Sequence, residues 1–163
     1  MSLDVAAGLD LLRQRLAEDR HLVVLVTTRQ GRDDPQVSIV NAAVIDHPLT
    51  AAPALALVSR RGPKLSNLRK QRRATAVARA GWEWVAVSGP VELSGPDDAH
   101  PGIDTEAQRQ LLRTIFTAAG GSHPDLVVYD QVMLAERRCA VLLNPERIWT
   151  NPPSSEHVEP GSR

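Results

Sequence analysis

The sequence predicts a mainly β (α+β) domain in which six antiparallel strands close into a small barrel with flanking helices. Three observations predict this fold class. Short β-branched segments follow one another through turn-rich connections, helical periodicity is confined to a few stretches, and 163 residues suffice to bury a core. We assign a single domain to residues 1–150 and a polar, proline-rich, disordered tail to residues 151–163.

The first third of the chain predicts a helix followed by a hairpin. Leu9, Leu12 and Leu16 recur at helical spacing, and this helix should end near His21. "HLVVLVTT" then predicts a buried strand, "RQGRDDP" has turn chemistry, and "QVSIVNAAVI" predicts a second strand. These two strands should pair as a hairpin with a long loop.

The middle third predicts a strand, a short helix and another hairpin. Residues 54–59 form the strand, and Gly62-Pro63 opens the helix because proline suits the first helical turn, where its missing N–H costs nothing. Leu65 and Leu68, three positions apart, should face the core. "ATAVARA" and "WEWVAVSGPVEL" then flank a glycine and predict two paired strands.

The last third predicts two helices and one strand. "SGPDDAHPGID" is a predicted linker, and "TEAQRQLLRTIFTAAGG" is a predicted helix ended by glycines. "DLVVYDQVMLAERR" predicts a second helix, and "CAVLLNPERIW" predicts the final strand.

A basic cluster, "SRRGPKLSNLRK", holds five of the nineteen Lys and Arg residues of the chain. A helix N-terminus carries unpaired N–H groups and partial positive charge, so Arg60, Arg61 and Lys64 predict a site for a phosphate or carboxylate. The alternative is a solvated helix face. That alternative is preferred for the cations towards the end of the helix, which complement its dipole: Arg69, Lys70, Arg72 and Arg73.

Other polar and aromatic residues are candidates with equally plain structural explanations. Asn67 follows Lys64 by one turn and is at least as suited to holding the helix against the barrel. Trp82 and Trp84 alternate along one predicted strand face and suit a flat ring, a core or a subunit interface. Gln36 and Ser38 share one face of their strand and suit a polar pocket or a solvated surface.

The remaining chemistry of the sequence is sparse. The net charge is zero, which disfavours nucleic acid as a partner, and no apolar run is long enough for a membrane span, so we expect a cytoplasmic protein. The five histidines lack metal-ligand spacing, Cys139 predicts a buried thiol, and Asp97 and Asp98 in the linker are expected to be solvated. Any enzymatic reactivity must therefore come from a bound cofactor.

The order of motifs resembles the split-barrel flavin and deazaflavin oxidoreductases related to pyridoxamine-phosphate oxidase. The motifs are "PQVSIVNAAV", "LALVSRR", "PKLSNLRK", "WEWVAVSGPVEL" and "VVYDQVM", and the resemblance covers roughly residues 10–150. The most specific element is Lys64-Leu65-Ser66-Asn67-Leu68-Arg69, after a short strand. Within the family the chain is most similar to the actinobacterial branch that uses coenzyme F420. Similar chains often carry an arginine where this one has Gly62.

The resemblance implies an FMN-binding type of split barrel and a homodimer with cofactor sites at its interface. By resemblance, Arg60, Arg61 and Lys64 hold the phosphate of the coenzyme. Further residues approach its ring, ribityl chain or pocket, and the resemblance implies that these are Gln36, Ser38, Ser59, Asn67, Trp84 and Tyr129.

Three functions remain open at this stage. The first is a reductase that moves a hydride between reduced F420 and an unsaturated or conjugated small-molecule acceptor. The second is an FMN-dependent oxidase or reductase on the same fold, because the same cations would hold the phosphate of FMN. The third is a non-enzymatic carrier of F420, haem or another conjugated ligand.

Overall fold

The structure is a computed structural model that describes residues 1–152. The part of the predicted tail from residue 153 onwards lies outside the described residues. The four helices of the described part are α1 (Val5–Glu18), α2 (Pro63–Gln71), α3 (Thr105–Ala118) and α4 (Leu126–Ala135). Its nine strands are β1 (Ser2–Leu3), β2 (Leu22–Thr28), β3 (Pro35–Asn41), β4 (Ala43–Asp46), β5 (Pro53–Ser59), β6 (Arg73–Ala80), β7 (Glu83–Ser94), β8 (Cys139–Leu143) and β9 (Arg147–Thr150).

The strands form one antiparallel sheet that curls back on itself. Neighbours along the sheet follow the order β3-β2-β6-β7-β8-β5-β4, while β9 pairs with β7 and β1. The two end strands, β3 and β4, are linked through Ala42 alone, which brings the ends of the sheet together. This architecture, with helices flanking an antiparallel sheet, confirms the predicted split-barrel fold class. The described sheet has nine strands and not six, and its end strands β3 and β4 do not pair to close it.

Two predicted strands are each divided in the structure. "QVSIVNAAVI" breaks at Ala42, because β3 pairs with β2 while β4 pairs with β5 on the other part of the sheet. "CAVLLNPERIW" breaks at residues 144–146, because β8 pairs with β5 and β7 whereas β9 pairs with β1 and β7. The short strand β1 has no counterpart in the prediction.

The predicted helix α2 forms as its sequence requires. Gly62 caps its N-terminus with Pro63 at the first helical position, and Arg72 ends it in the left-handed conformation. Leu65 and Leu68 are both completely buried, as predicted. Their burial fixes the helix against the barrel and thereby fixes the direction in which its N-terminus points.

The core has two parts that lie on opposite sides of the sheet. Leu9, Leu12 and Leu16 of α1 pack into the larger part together with the inward side chains of the barrel. The second part joins α3 and α4 to β4, β5 and β8, with Ile115 and Tyr129 among its buried residues. No helix of the described part is long and apolar enough to cross a membrane.

The long strand β7 changes partners at Gly89. Residues 83–90 pair with β6, and residues 91–94 pair with β8. A Cβ atom at Gly89 would lie 1.8 Å from the backbone oxygen of Asn144. The backbone N–H of Asn144 also donates to the Pro90 carbonyl, which holds the two segments together. Only glycine allows this close approach of two backbones.

We predict that Gly89→Ala lowers the free energy of unfolding by about 2–4 kcal/mol, because the Asn144 backbone must move away from the new methyl group. Urea unfolding followed by tryptophan fluorescence measures the effect. Gly31→Ala is the matched control, since Gly31 has a φ of 73° and open space around it and should cost only about 1 kcal/mol. Equal losses for the two variants would contradict the close-approach explanation.

Candidate functional site

A cavity of about 840 Å³ opens beside the N-terminus of α2. Its apolar wall comes from β3, β5, α3 and α4, and it includes Ile39, Val58, Ile115, Phe116, Tyr129 and Met133. Its polar wall comes from the α1–β2 turn, the end of β3, the start of α2 and the α4–β8 connection, and consists of Arg20, His21, Asn41, Arg60, Lys64 and Arg138. Both walls belong to elements that the barrel holds rigidly.

The charge of this cavity is one-sided. Four cationic side chains line it, and no aspartate or glutamate within residues 1–152 does so. Arg138 forms an ion pair of 2.6 Å with Glu136, outside the cavity lining. Arg60 and Lys64 form no ion pair with any residue of the described part. The positive charge is therefore balanced only in part by the protein itself.

Two arginines of the basic cluster, Arg61 and Arg69, are paired with the loop between β7 and α3. Asp97 accepts hydrogen bonds from Arg61, at 3.1 Å, and from Arg137. Asp98 accepts two from Arg69, at 2.8 and 2.7 Å. The expectation that these two carboxylates are solvated is wrong, since only 6% of the Asp98 side chain is exposed. The pairing separates Arg61 from Arg60 and Lys64, with which it was grouped as an anion ligand.

These contacts hold both carboxylates in the ionised form. Hydrogen bonds from Arg137 keep the pKa of Asp97 well below its usual range, and those from Arg69 lower the pKa of Asp98. The loop therefore stays negatively charged at neutral pH and keeps its arginines occupied.

Lys64 lies in the opposite situation. Burial lowers the pKa of its amino group, and the positive charges of Arg60 and Arg138 lower it further. The Lys64 side chain is half-buried in the cavity wall and not fully exposed to solvent. A half-buried ammonium beside two guanidinium groups favours a bound anion, which would offset all three charges.

Two predicted ligands on neighbouring elements, Ser59 and Asn67, have structural contacts. Ser59 is buried, and its hydroxyl donates to the Arg60 carbonyl at 3.0 Å. The buried Asn67 side chain donates to the Thr27 hydroxyl of β2 at 3.1 Å. This contact favours the structural explanation, in which Asn67 holds the helix against the barrel. Asn67 and Ser59 do not line the cavity. They support the segment that carries Arg60 and Lys64.

Tyr129 does line the cavity, in its wall and not at its rim. Its hydroxyl donates to the Leu112 carbonyl at 3.2 Å, and its ring centroid lies 4.6 Å from that of Phe116. Burial raises the pKa of Tyr129 to about 12, so the phenol stays protonated. Its contribution to the cavity is an aromatic surface.

The remaining candidates lie elsewhere on the surface. Gln36 and Ser38 share one face of β3, as predicted, but the residues of β3 that line the cavity lie further along the strand. Trp82 lies in the β6–β7 turn with 86% of its surface exposed and is not on a strand face with Trp84. Trp84 is half-buried on β7, outside the cavity lining of this chain.

Four polar residues of the cavity were missed from the sequence: Arg20, His21, Asn41 and Arg138. Arg20 and His21 lie 39 and 38 positions before the start of the basic cluster, and Arg138 lies 68 positions after its end. No local spacing relates them. The one available signal was the polar pair Arg20-His21 placed directly before an apolar strand.

A second polar cluster lies around Glu92 and has a structural explanation. Nε2 of His47 and Nε2 of His100 lie 3.3 and 2.8 Å from the same carboxylate oxygen, and Asn144 donates to the other at 2.6 Å. The Nδ1 atoms of both histidines accept backbone N–H groups, of Leu49 and Gly102, so each ring donates from Nε2 and offers that atom to no metal. No group of three metal-ligating side chains occurs in residues 1–152.

Burial alone would raise the pKa of Glu92, but hydrogen bonds from His100 and Asn144 outweigh it and lower that pKa. The Glu92 carboxylate thus pins the loop after β4 and the loop after β7 to one strand. Cys139 is similarly inert, since burial raises the pKa of its thiol to about 12.

The cavity therefore suits an anionic ligand with an apolar, planar portion. Arg60, Lys64 and Arg138 supply charge for a phosphate, while the aromatic and aliphatic wall supplies a surface for a ring. Within the described residues it contains no paired carboxylates and no activated nucleophile. The residues present fit a phosphorylated cofactor that brings its own reactivity.

No model of a known protein family matches the sequence. Three solved structures have the same fold. A pyridoxamine 5'-phosphate oxidase-related, FMN-binding protein from Nostoc punctiforme is 17% identical, with a TM-score of 0.59 over 92% of this chain and 86% of that one. PhzG from Burkholderia lata, in complex with tetrahydrophenazine-1-carboxylic acid, is 13% identical, with a TM-score of 0.59 over 90% and 80%. A FAD-binding protein from Mesorhizobium loti is 14% identical, with a TM-score of 0.54 over 93% and 98%. Identities this low establish the shared fold alone.

We predict that Lys64→Gln leaves the ligand-free protein at least as stable as the wild type at pH 7. The folded pKa of Lys64 lies below that of the unfolded chain, so the unfolded state binds more protons as the pH rises towards about 10.5. The free energy of unfolding of the wild type should therefore rise relative to that of the variant as the pH rises towards about 10.5. Thermal unfolding between pH 7 and 10.5 measures the difference.

Lys70→Gln is the matched control, because Lys70 is the other lysine of the same helix and is exposed. It should follow the wild type at every pH. A Lys64→Gln protein that is clearly less stable than the wild type at pH 7 would contradict the repulsion between Lys64 and its neighbours Arg60 and Arg138.

Proposed function

We propose that the protein is an F420-dependent oxidoreductase that transfers a hydride between the reduced deazaflavin coenzyme and an unsaturated or conjugated small-molecule acceptor. The observation that carries the proposal is the cavity, which is lined by four cations and by no carboxylate of the described residues. An FMN-dependent oxidoreductase is the second candidate, and the FMN-binding and FAD-binding proteins of the same fold favour it.

The cations identify the chemistry of one end of the ligand. Arg60 and Lys64 reach the cavity from the start of α2, and Arg138 reaches it from the start of β8. Guanidinium groups bind phosphate oxygens in pairs, and an ammonium adds a point charge without directional demands. A phosphate or phosphodiester placed among them would relieve the repulsion that lowers the pKa of Lys64.

The opposite wall suits a ring system. Phe116 and Tyr129 stack against each other, and Val58, Ile115 and Met133 extend this surface. When bound, a deazaflavin supplies two-electron hydride chemistry at a ring carbon. The protein then has to hold donor and acceptor together and exclude water, which requires no acid–base pair among its own side chains.

Arg20 favours F420 over FMN. It lines the cavity from the α1–β2 turn, whereas Arg60, Lys64 and Arg138 come from the start of α2 and the α4–β8 connection, so positive charge reaches the cavity from separate segments. FMN has one anionic group, its phosphate. F420 has carboxylates on its glutamate tail in addition to a phosphodiester, so a cavity with two separate positive sites matches it better.

A homodimer is part of the proposal, because an apolar patch covers the outer face of the sheet beside the cavity. Val24 pairs with Ile39 and Val77, and Val26 pairs with Val37, so five apolar side chains lie together on adjacent strands. Ile39 is 70% exposed and Val37 is 53% exposed. Ile39 also lines the cavity, so a second copy on this patch would cover its open side.

We predict that the wild-type protein binds F420 more tightly than FMN and that Lys64→Gln weakens both by about 10- to 100-fold, because a charge-assisted phosphate contact is lost. Fluorescence titration of the purified protein with each cofactor measures the affinities. Lys70→Gln and Arg61→Gln are matched controls that should bind normally, since Lys70 lies outside the cavity and Arg61 is held by Asp97.

Tighter binding of FMN than of F420 would support the proposed cofactor site but identify its cofactor as FMN. Binding of neither cofactor would remove the proposed function. Binding of F420 without oxidation of the reduced coenzyme by a panel of conjugated acceptors would leave a carrier.

We predict that Val37→Asp converts a dimer into monomers at micromolar concentration, because the buried charge would oppose burial of the patch. Sedimentation equilibrium measures the mass. Val127→Asp is the matched control, since Val127 is a similarly exposed valine on α4. A wild-type protein that sediments as a monomer would contradict the dimer, and dissociation by Val127→Asp alone would place the interface on α4.

A further inference from the structure

The turn between α1 and β2 is held in an uncommon backbone conformation. Arg20 and His21 have φ angles of 52° and 59°, in the left-handed region that is unfavourable for residues with side chains. Two consecutive residues of this kind require support, and strain of this kind is concentrated at functional sites. Two backbone hydrogen bonds supply this support. The His21 N–H donates to the Leu16 carbonyl at 2.7 Å, and the Ala42 N–H donates to the His21 carbonyl at 2.8 Å. Asn41 also donates to the Arg20 carbonyl at 3.0 Å.

These bonds fix the position of the His21 ring in the cavity wall. His21 lines the cavity, and its ring lies against Gly120, near the C-terminal end of α3. A Cβ atom at Gly120 would lie 3.3 Å from Cδ2 and 3.8 Å from Nε2 of the ring. The glycine, with a φ of 82°, therefore leaves the space that the imidazole occupies.

The two ring nitrogens of His21 have different surroundings. Nδ1 is buried and has no hydrogen-bond partner within the described residues. Nδ1 is unpaired in either tautomer, and a buried N–H without an acceptor is rarer than an unpaired acceptor, so we place the proton of the neutral ring on Nε2. His21 lines the cavity, and no hydrogen bond joins its Nε2 to an acceptor within residues 1–152, so this N–H is available to a ligand there.

We infer that His21 donates a hydrogen bond from Nε2 to a carbonyl or carboxylate oxygen of the ligand in this cavity and positions that ligand. The neighbouring Arg20 guanidinium favours an oxygen that carries negative charge or a strong dipole. This contact is separate from the phosphate contact at Lys64, and the two together would orient a ligand along the cavity. The inference rests on the proposed function only in that a cofactor of this class occupies the cavity.

The test observes the imidazole nitrogens of the wild-type protein by ¹⁵N–¹H NMR, first alone and then with F420 and with FMN. His21→Gln assigns the His21 signals. We expect the Nε2–H tautomer in the free protein and a shift of the His21 Nε2 signal on binding. His47 and His100 are internal controls, because both are held by Glu92 outside the cavity and their signals should not move.

The affinities of two variants provide the second readout. His21→Phe, which lacks the donor, should bind the cofactor about three- to tenfold more weakly, while His21→Gln, which keeps an N–H donor, should recover part of the loss. A bound cofactor that leaves the His21 signals unchanged, or a His21→Phe protein of wild-type affinity, would overturn the inference alone. If the wild-type protein binds neither cofactor, the proposed function fails and the inference fails with it.

Discussion

The pairing of Asp97 and Asp98 with arginines decides which charges of the basic cluster remain free. Asp97 occupies Arg61 and Arg137, and Asp98 occupies Arg69. Arg60 and Lys64 belong to the same short segment but form no such pair within residues 1–152. Without the acidic loop, the whole segment would be one diffuse positive surface. With it, Arg61 and Arg69 are neutralised while Arg60 and Lys64 keep their unbalanced charge at the cavity, where a ligand of matching shape also finds an apolar wall.

The fold makes this arrangement rigid by assembling it from separate elements. The buried leucines of α2 orient Lys64, the hydrogen bond between Asn67 and Thr27 fixes the same helix to β2, and Glu92 pins two loops through His47 and His100. The result is a ligand-free state that keeps like charges together at a cost in stability, which ligand binding would reverse. A preorganised site of this kind binds without first having to order its own side chains.

Local sequence patterns predicted the fold more completely than they predicted the site. Pro63 with Leu65 and Leu68 was sufficient to place α2, and the order of apolar segments was sufficient for the fold class. The break at Ala42 was not predictable from the alternation of apolar and polar residues. It arises because β3 pairs with β2 while β4 pairs with β5, on another part of the curled sheet. The pairs of Asp97 and Asp98 join residues 29 to 40 positions apart, and His21 meets the cavity only through the packing of α3. Such contacts depend on tertiary packing, which no local spacing records.

A crystal structure of the protein with bound F420 tests the central claim most directly. The account predicts the phosphodiester within hydrogen-bonding distance of Lys64 Nζ and the Arg60 guanidinium, with the deazaflavin ring against the wall that contains Tyr129. It also predicts that Arg61 and Arg69 remain paired with Asp97 and Asp98. A phosphodiester bound at Arg61 or Arg69 in place of those carboxylates, or a cavity left empty at saturating coenzyme, would contradict it.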